Sequence, residues 1–312
     1  MREFYLNHDG NMDDYASLLL MLLAPDIRLI GVGVTDADGY VEPAVAASRK
    51  IIDRFNQRHD EITVAQSNSR AVHQFPDAWR VAAYSVNQFP LLNEHGCVKT
   101  PLSDLPAHQH LIECLHQATG PVTLVFTGPL TDLARALETD PTITHKIATL
   151  YWMGGSQNGR GNVHMPNADG TQEWNAWWDP AACATVWDSD LDIYQIGLES
   201  SEELPVTPAM HQHFATNRRY QAFDLLGNIY ALVNSAEVDT EYYLWDVLTV
   251  MAALFPEIVT TEEVKSTVLT TGSSAARFER DETGRGVTLV THADSEKFWR
   301  HYDQLCKHAE LF

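Results

Sequence analysis

Cysteine is scarce in this chain of 312 residues: Cys97, Cys114, Cys183 and Cys306 are four in all, and no two are close enough to form a CxxC pair. That spacing excludes a zinc ribbon and gives no disulfide framework, so reduced, buried thiols in a cytoplasmic protein are the expectation. Basic residues are also few, with 21 Lys and Arg against 42 Asp and Glu, a formal net charge of −21. Nucleic acids and anionic membranes select clustered Lys and Arg, so neither is an expected partner. Long apolar runs are missing too. The most apolar stretch, Leu18 to Ala24, is too short to span a bilayer, and MREFYLNHDG has no apolar core of signal-peptide length. No internal repeat, low-complexity linker or charge block is present. With 45% hydrophobic and 20% charged residues the composition is that of an ordinary globular protein.

What is present reads as strand alternating with helix. Glu3 to Asn7 reads as a strand, Asp13 to Leu23 as a helix closed by Pro25, and Ile27 to Val34 as a β-branched strand. Strand, helix and strand in so short a span form a βαβ unit and predict a parallel pair. Further strands are expected at Ile62 to Val64, Val122 to Phe126, Ile147 to Met153, Ile193 to Leu198 and Val287 to Val290, with helices between them. Residues 66 to 105 read as loops around one short helix. The fold class is α/β, a single domain over 1–312 with a mostly parallel, Rossmann-like open sheet flanked by helices.

In such sheets ligands bind where strands end and helices begin. The first junction, Asn7-His8-Asp9-Gly10-Asn11-Met12-Asp13-Asp14, places three carboxylates within six residues. A helix N-terminus favours each acid by only about 0.3–1 kcal/mol. A bound cation explains the crowding, and all-oxygen ligation suits Ca²⁺ or Mg²⁺ rather than zinc. A solvent-facing N-cap cluster explains it equally well on local grounds. An EF-hand is excluded, because Asp14 stands where its loop glycine belongs.

FYLNHDGNMDD resembles the strand-DxDPGxDD-helix signature of the inosine–uridine preferring nucleoside hydrolases. The likeness continues in order. VFTGPLTDLA at 125–134 is similar to the family's TGPLTNLA turn, and Tyr151-Trp152-Met153-Gly154-Gly155 with Gly161-Asn162 to its MGG…GN loop. Glu173-Trp174-Asn175 with Asp179-Pro180-Ala181-Ala182 is similar to EFN…DPEAA, and Gly197-Leu198-Glu199 and Gly284-Arg285-Gly286 echo two later landmarks.

The resemblance implies one Ca²⁺ and hydrolysis of the N-glycosidic bond of a ribonucleoside to ribose and free base. It implies that Asp9, Asp14, the backbone carbonyl of Thr127 and Asp246 ligate calcium, and that Asp9 takes a proton from the calcium-bound water. Asp13, Asn162, Glu173 and Asn175 would hold the ribose hydroxyls, with Asp38 and Trp245 also facing the substrate. It further implies a homodimer or homotetramer in the cytoplasm. An oxocarbenium-like transition state, with positive charge developing on the sugar, suits such a ring of carboxylates and amides.

The chain departs from the pattern at several places. Asn7 stands where the first Asp is expected, Gly10-Asn11 replaces Pro-Gly, Asp38 replaces a frequent Asn, and Trp245 precedes Asp246 where many members have His. No HG-containing stretch is recognisable in Ala71 to Glu94. Trp245 therefore reads as a stacking platform for a purine or as a packing residue, and Trp174, Trp177 and Trp178 mostly as core. His8 reads as a partly exposed loop residue, or as a donor or acid within the metal loop, and Tyr230, Tyr242 and Tyr243 as amphipathic helix packing or a cover over the base. Three alternatives remain: a hydrolase of another N-ribosyl compound, a calcium- and ribose-binding relative without turnover, and a Mg²⁺-dependent phosphohydrolase, for which no phosphate-cradling P-loop is present.

Overall fold

In a computed structural model, which describes residues 1–233 and 241–312, nine strands form one sheet in the order β3-β2-β1-β4-β5-β6-β9-β7-β8. These are β1 (Arg2–His8), β2 (Ile27–Val34), β3 (Val64–Gln66), β4 (Val122–Phe126), β5 (Ile147–Met153), β6 (Ile193–Ile196), β7 (Val259–Val268), β8 (Phe278–Arg280) and β9 (Arg285–Ala293). β1 to β6 and β9 run parallel, and β7 lies antiparallel to both β8 and β9. The architecture is the expected mostly parallel α/β sheet with helices on both faces.

Side chains along β1 alternate between the two faces, as a strand's period of two requires. Phe4 and Leu6 enter one hydrophobic cluster and Tyr5 the other. The helix Met12–Leu23 is buried on every side. It packs against the helices Val41–Phe55, Gln221–Tyr230 and Trp245–Leu254. The apolar run Leu18 to Ala24 is thus the centre of the core, as an all-round apolar helix in a soluble fold requires. Among the described residues no helix is long and apolar enough to cross a membrane.

Several details differ from the sequence reading. β3 starts at Val64 because Ile62, though buried, precedes the ladder. Residues 66–105 hold three short helices, Asp77–Arg80, Ala82–Asn87 and Pro90–Asn93, rather than one. The β7–β8 extension was not foreseen, since β7 (VTTEEVKSTV) is polar and mostly exposed over its first half. No disulfide joins the four cysteines, and only Cys183 and Cys306 are buried, while Cys97 is exposed.

Candidate active site

The ends of β1, β2, β4 and β5 bring the candidate residues to one edge of the sheet. β1 ends at His8, and Gly10 turns the chain with φ +85, a left-handed conformation that favours glycine. The Asn11 side chain then caps the helix Met12–Leu23, accepting from Met12 N–H at 2.8 Å, while the Asp14 carboxylate accepts from Asn11 N–H at 2.8 Å. This reciprocal capping box fixes Asp13 and Asp14 in the first turn. The second Asp14 oxygen accepts from the Thr127 hydroxyl at 2.6 Å, which joins β1 to the turn after β4.

Asp9, Asp13, Asp14 and Asp246 are all buried. Asp9 accepts from Asp38 N–H at 3.3 Å through its carboxylate and from Gly39 N–H at 2.7 Å through its carbonyl. Asp13 accepts from the Tyr242 hydroxyl at 2.8 Å and from Asp246 N–H at 3.1 Å, which ties the first turn to the start of Trp245–Leu254. Asp38 accepts from the Asn11 amide, and its other oxygen is buried with no partner among the described residues. Burial first, then repulsion by Asp14 and the neighbouring acids, pushes the carboxyls of Asp9 and Asp246 upward and that of Asp13 up to about 6. Burial, with the charges of Asp14 and Asp13 behind it, pushes Asp38 up to about 7, against the pull of Asn11 and Arg80.

None of the groups acting most strongly on Asp9, Asp13 or Asp246 is basic. Buried carboxylates crowded together without a counter-charge are costly unless a cation joins them. The donors are carboxylate oxygens and the Thr127 carbonyl, a hard oxygen set that fits Ca²⁺. Among the described residues no three Asp, Glu, His or Cys groups already stand in a metal-ligating arrangement. Asp14 directs its two oxygens to Asn11 and Thr127 instead, and the Thr127 carbonyl accepts from the Asn175 amide at 3.1 Å.

The residues expected on the sugar side are locked by backbone bonds. Glu173 caps the short helix Trp174–Trp178 and accepts from the N–H groups of Asn175 at 2.9 Å and Ala176 at 3.1 Å. It also accepts from Gly155 N–H at 2.8 Å, so one carboxylate joins the Gly-rich loop to the Glu-Trp-Asn turn. Asn162 accepts from Trp174 N–H at 3.2 Å. Burial pushes the Glu173 carboxyl up to about 7 despite those backbone donors. A folded-state pKa above the unfolded value stabilises the fold below about 4.5 and loses that contribution as pH rises to about 7. Glu173→Gln cannot titrate, so wild-type stability relative to the variant is expected to fall by about 3 kcal/mol between those pH values. Urea unfolding of both proteins across that range checks it; a pH-independent difference contradicts it.

His8 is not an exposed loop residue. It is fully buried at the end of β1, with Nε2 at 2.9 Å from the Ser48 hydroxyl, and burial holds its imidazole below the usual range. Tyr230 is buried, as its helical pattern suggested, whereas Tyr242 reaches Asp13. Trp245 is half-buried, with ring centroids 4.7 Å from Tyr242 and 5.6 Å from Tyr243. Trp177 and Trp178 are core.

The structure adds an aromatic shelf that sequence reasoning missed. Trp174 stacks on Phe75 at 5.0 Å and meets the edge of Trp79 at 5.3 Å, and Trp79 is 47% exposed. Both partners lie in the weakly periodic stretch 66–105; the Phe75-Pro76-Asp77-Ala78-Trp79 cluster was the available signal.

Known proteins resemble this chain over most of its length. The family model described as inosine-uridine preferring nucleoside hydrolase matches residues 4–300. A solved inosine-uridine preferring nucleoside hydrolase from Bacillus anthracis is 45% identical with a TM-score of 0.95, over 99% of this chain and 100% of that one. A non-specific ribonucleoside hydrolase from Klebsiella pneumoniae (strain 342) is 32% identical over 215 residues, 66% of this chain and 67% of its own. A purine-preferring ribonucleoside hydrolase from Gardnerella vaginalis shares the fold, with 21% identity and a TM-score of 0.79 over 99% of this chain and 100% of that one.

Proposed function

The chain belongs to the inosine–uridine preferring nucleoside hydrolase family and is an N-glycosidase acting on ribonucleosides, and from that premise we propose a calcium-dependent hydrolase with Asp9 as base and a preference for purines. The observation that carries the reading is the buried cluster of Asp9, Asp13, Asp14 and Asp246 at the sheet's C-terminal edge.

Asp9, Asp14, Asp246 and the Thr127 carbonyl would hold the ion. When bound, calcium supplies a Lewis acid that lowers the pKa of water and repays the burial of the carboxylates. Asp9 would accept the proton of the water that attacks the anomeric carbon. Asp13, Asn162, Glu173 and Asn175 hold the ribose hydroxyls, and the Tyr242 bond to Asp13 keeps that carboxylate facing the sugar. Their negative and amide oxygens stabilise the positive charge that grows on the ring as the base departs. Trp245, steadied by Tyr242 and Tyr243, stacks on the leaving base; a larger ring gains more from this contact, worth about 1–3 kcal/mol. The family resemblance carries with it a homodimer or homotetramer.

The test is release of reducing sugar from a panel of purine and pyrimidine ribonucleosides, before and after Trp245→Ala. The expected outcome is faster release from purines, with a purine-specific loss of about 10- to 100-fold in kcat/KM in the variant. Equal losses for purines and pyrimidines would show that Trp245 only packs.

A further inference from the structure

We propose that Asp132 is a positioning residue for this site, acting with Asn7 as a coupled carboxylate–amide pair; the role rests on the calcium reading above. Asp132 lies in the first turn of Thr131–Thr139 and is fully buried. One of its oxygens accepts from the Ser67 hydroxyl at 2.8 Å and the Ser69 hydroxyl at 2.7 Å. The other accepts from the Asn7 amide at 3.3 Å and the Thr35 hydroxyl at 3.1 Å, and the same Thr35 hydroxyl lies 3.1 Å from the Asn7 side-chain Oδ1. All four donors are neutral. Arg135 is one hydroxyl removed, donating to Ser69 at 2.8 Å.

Those donors stand at or just past the ends of β1, β2 and β3, and Asp132 itself follows β4. These are four neighbouring strands. Each loop that leaves them leads to the site: Asn7 is two residues before Asp9, Thr35 is three before Asp38, and Thr127 is five before Asp132. Thr127 N–H is bound to the Asn7 carbonyl at 2.9 Å, so the hub fixes the backbone from which Asp9 and the Thr127 carbonyl project. Room for the amide is built in, since a Cβ on Gly33 would lie 2.5 Å from Asn7 Nδ2.

Asn7 and Asp132 face each other as one amide and one carboxylate, and donor chemistry couples the two positions. Asn7→Asp alone sets two buried carboxylates against each other at 3.3 Å. Asp132→Asn alone leaves two amides with one charged acceptor lost. The double exchange restores one donor amide facing one carboxylate.

The experiment compares wild type, Asn7→Asp, Asp132→Asn and the double exchange for kcat, KM and calcium affinity, the last by competition with a chromophoric chelator. Positioning predicts a fall of about 10- to 100-fold in kcat and in calcium affinity for each single variant, with KM changed much less. It also predicts recovery of at least about tenfold of the larger loss in the double exchange. Single variants with wild-type kcat and calcium affinity but a lower Tm, or a double exchange no better than Asn7→Asp, would overturn it. Should Asn7→Asp not fold, Thr35→Val and Ser67→Ala each remove one donor without changing charge. Lower calcium affinity in both supports the hub, and unchanged affinity in both contradicts it. A wild type that releases ribose at full rate without calcium defeats the metal reading instead; a calcium-dependent wild type with unaffected variants defeats only the role of Asp132.

Discussion

Asp9→Asn is expected to release ribose about 10³-fold more slowly than wild type, with calcium still bound within about tenfold of the wild-type affinity. The side chain is buried, and its loop is pinned by Asp38 N–H on the carboxylate and Gly39 N–H on the carbonyl. Asn has the same shape, so the loop keeps its course, and the amide oxygen remains a ligand for a hard cation. What disappears is basicity. A carboxylate takes a proton from water; an amide does not. The checks are kcat and KM beside a direct calcium-binding isotherm. A variant with wild-type kcat would remove Asp9 as the base, and one that binds no calcium would make it mainly a ligand.

The second large effect has opposite signs in stability and in function. Asp246 opens the helix Trp245–Leu254 in the field of Asp13, Asp14 and Asp9, and burial with that repulsion drives its carboxyl upward. Asp246→Asn imitates the neutral form that the crowded site favours. Without calcium, the variant is therefore expected to melt about 2–4 °C above wild type, equivalent to about 1 kcal/mol. With calcium the order reverses. Losing one of three carboxylate ligands lowers calcium affinity by about 100-fold, and wild type gains about 2.7 kcal/mol at calcium one hundred times its Kd. Melting curves of both proteins with calcium and with chelator test this. A variant that melts lower without calcium and keeps the full calcium-induced rise would show that Asp246 serves packing rather than the ion.

The parts of the site that were legible in the sequence are those that local chemistry imposes. Three acids after an apolar strand and before a helix had to lie at one sheet edge, and β1 with its capping box places them there. The Glu173-Trp174-Asn175 turn was legible only as a polar loop beside a resemblance. Its role depends on Gly155, 18 residues away, whose N–H it binds. His8 was misread because a histidine between Asn and Asp looks solvated, whereas strand alternation carries it into the core beside Ser48. β7 was missed because its early residues face solvent and show no apolar alternation, its place being set by pairing with β9. Asp132 passed as one letter of a motif. Its significance lies in hydroxyls at 35, 67 and 69, which no local pattern connects.

The central claim is that hydrolysis runs through a calcium ion held by Asp9, Asp14, Asp246 and the Thr127 carbonyl. The most direct measurement is a calcium titration of chelator-stripped enzyme that records bound calcium and the rate of ribose release from inosine in the same samples. The account predicts a rate that rises from near zero in proportion to occupancy and saturates at one calcium per chain. Full rate in the stripped enzyme, or calcium binding that leaves the rate unchanged, would contradict it.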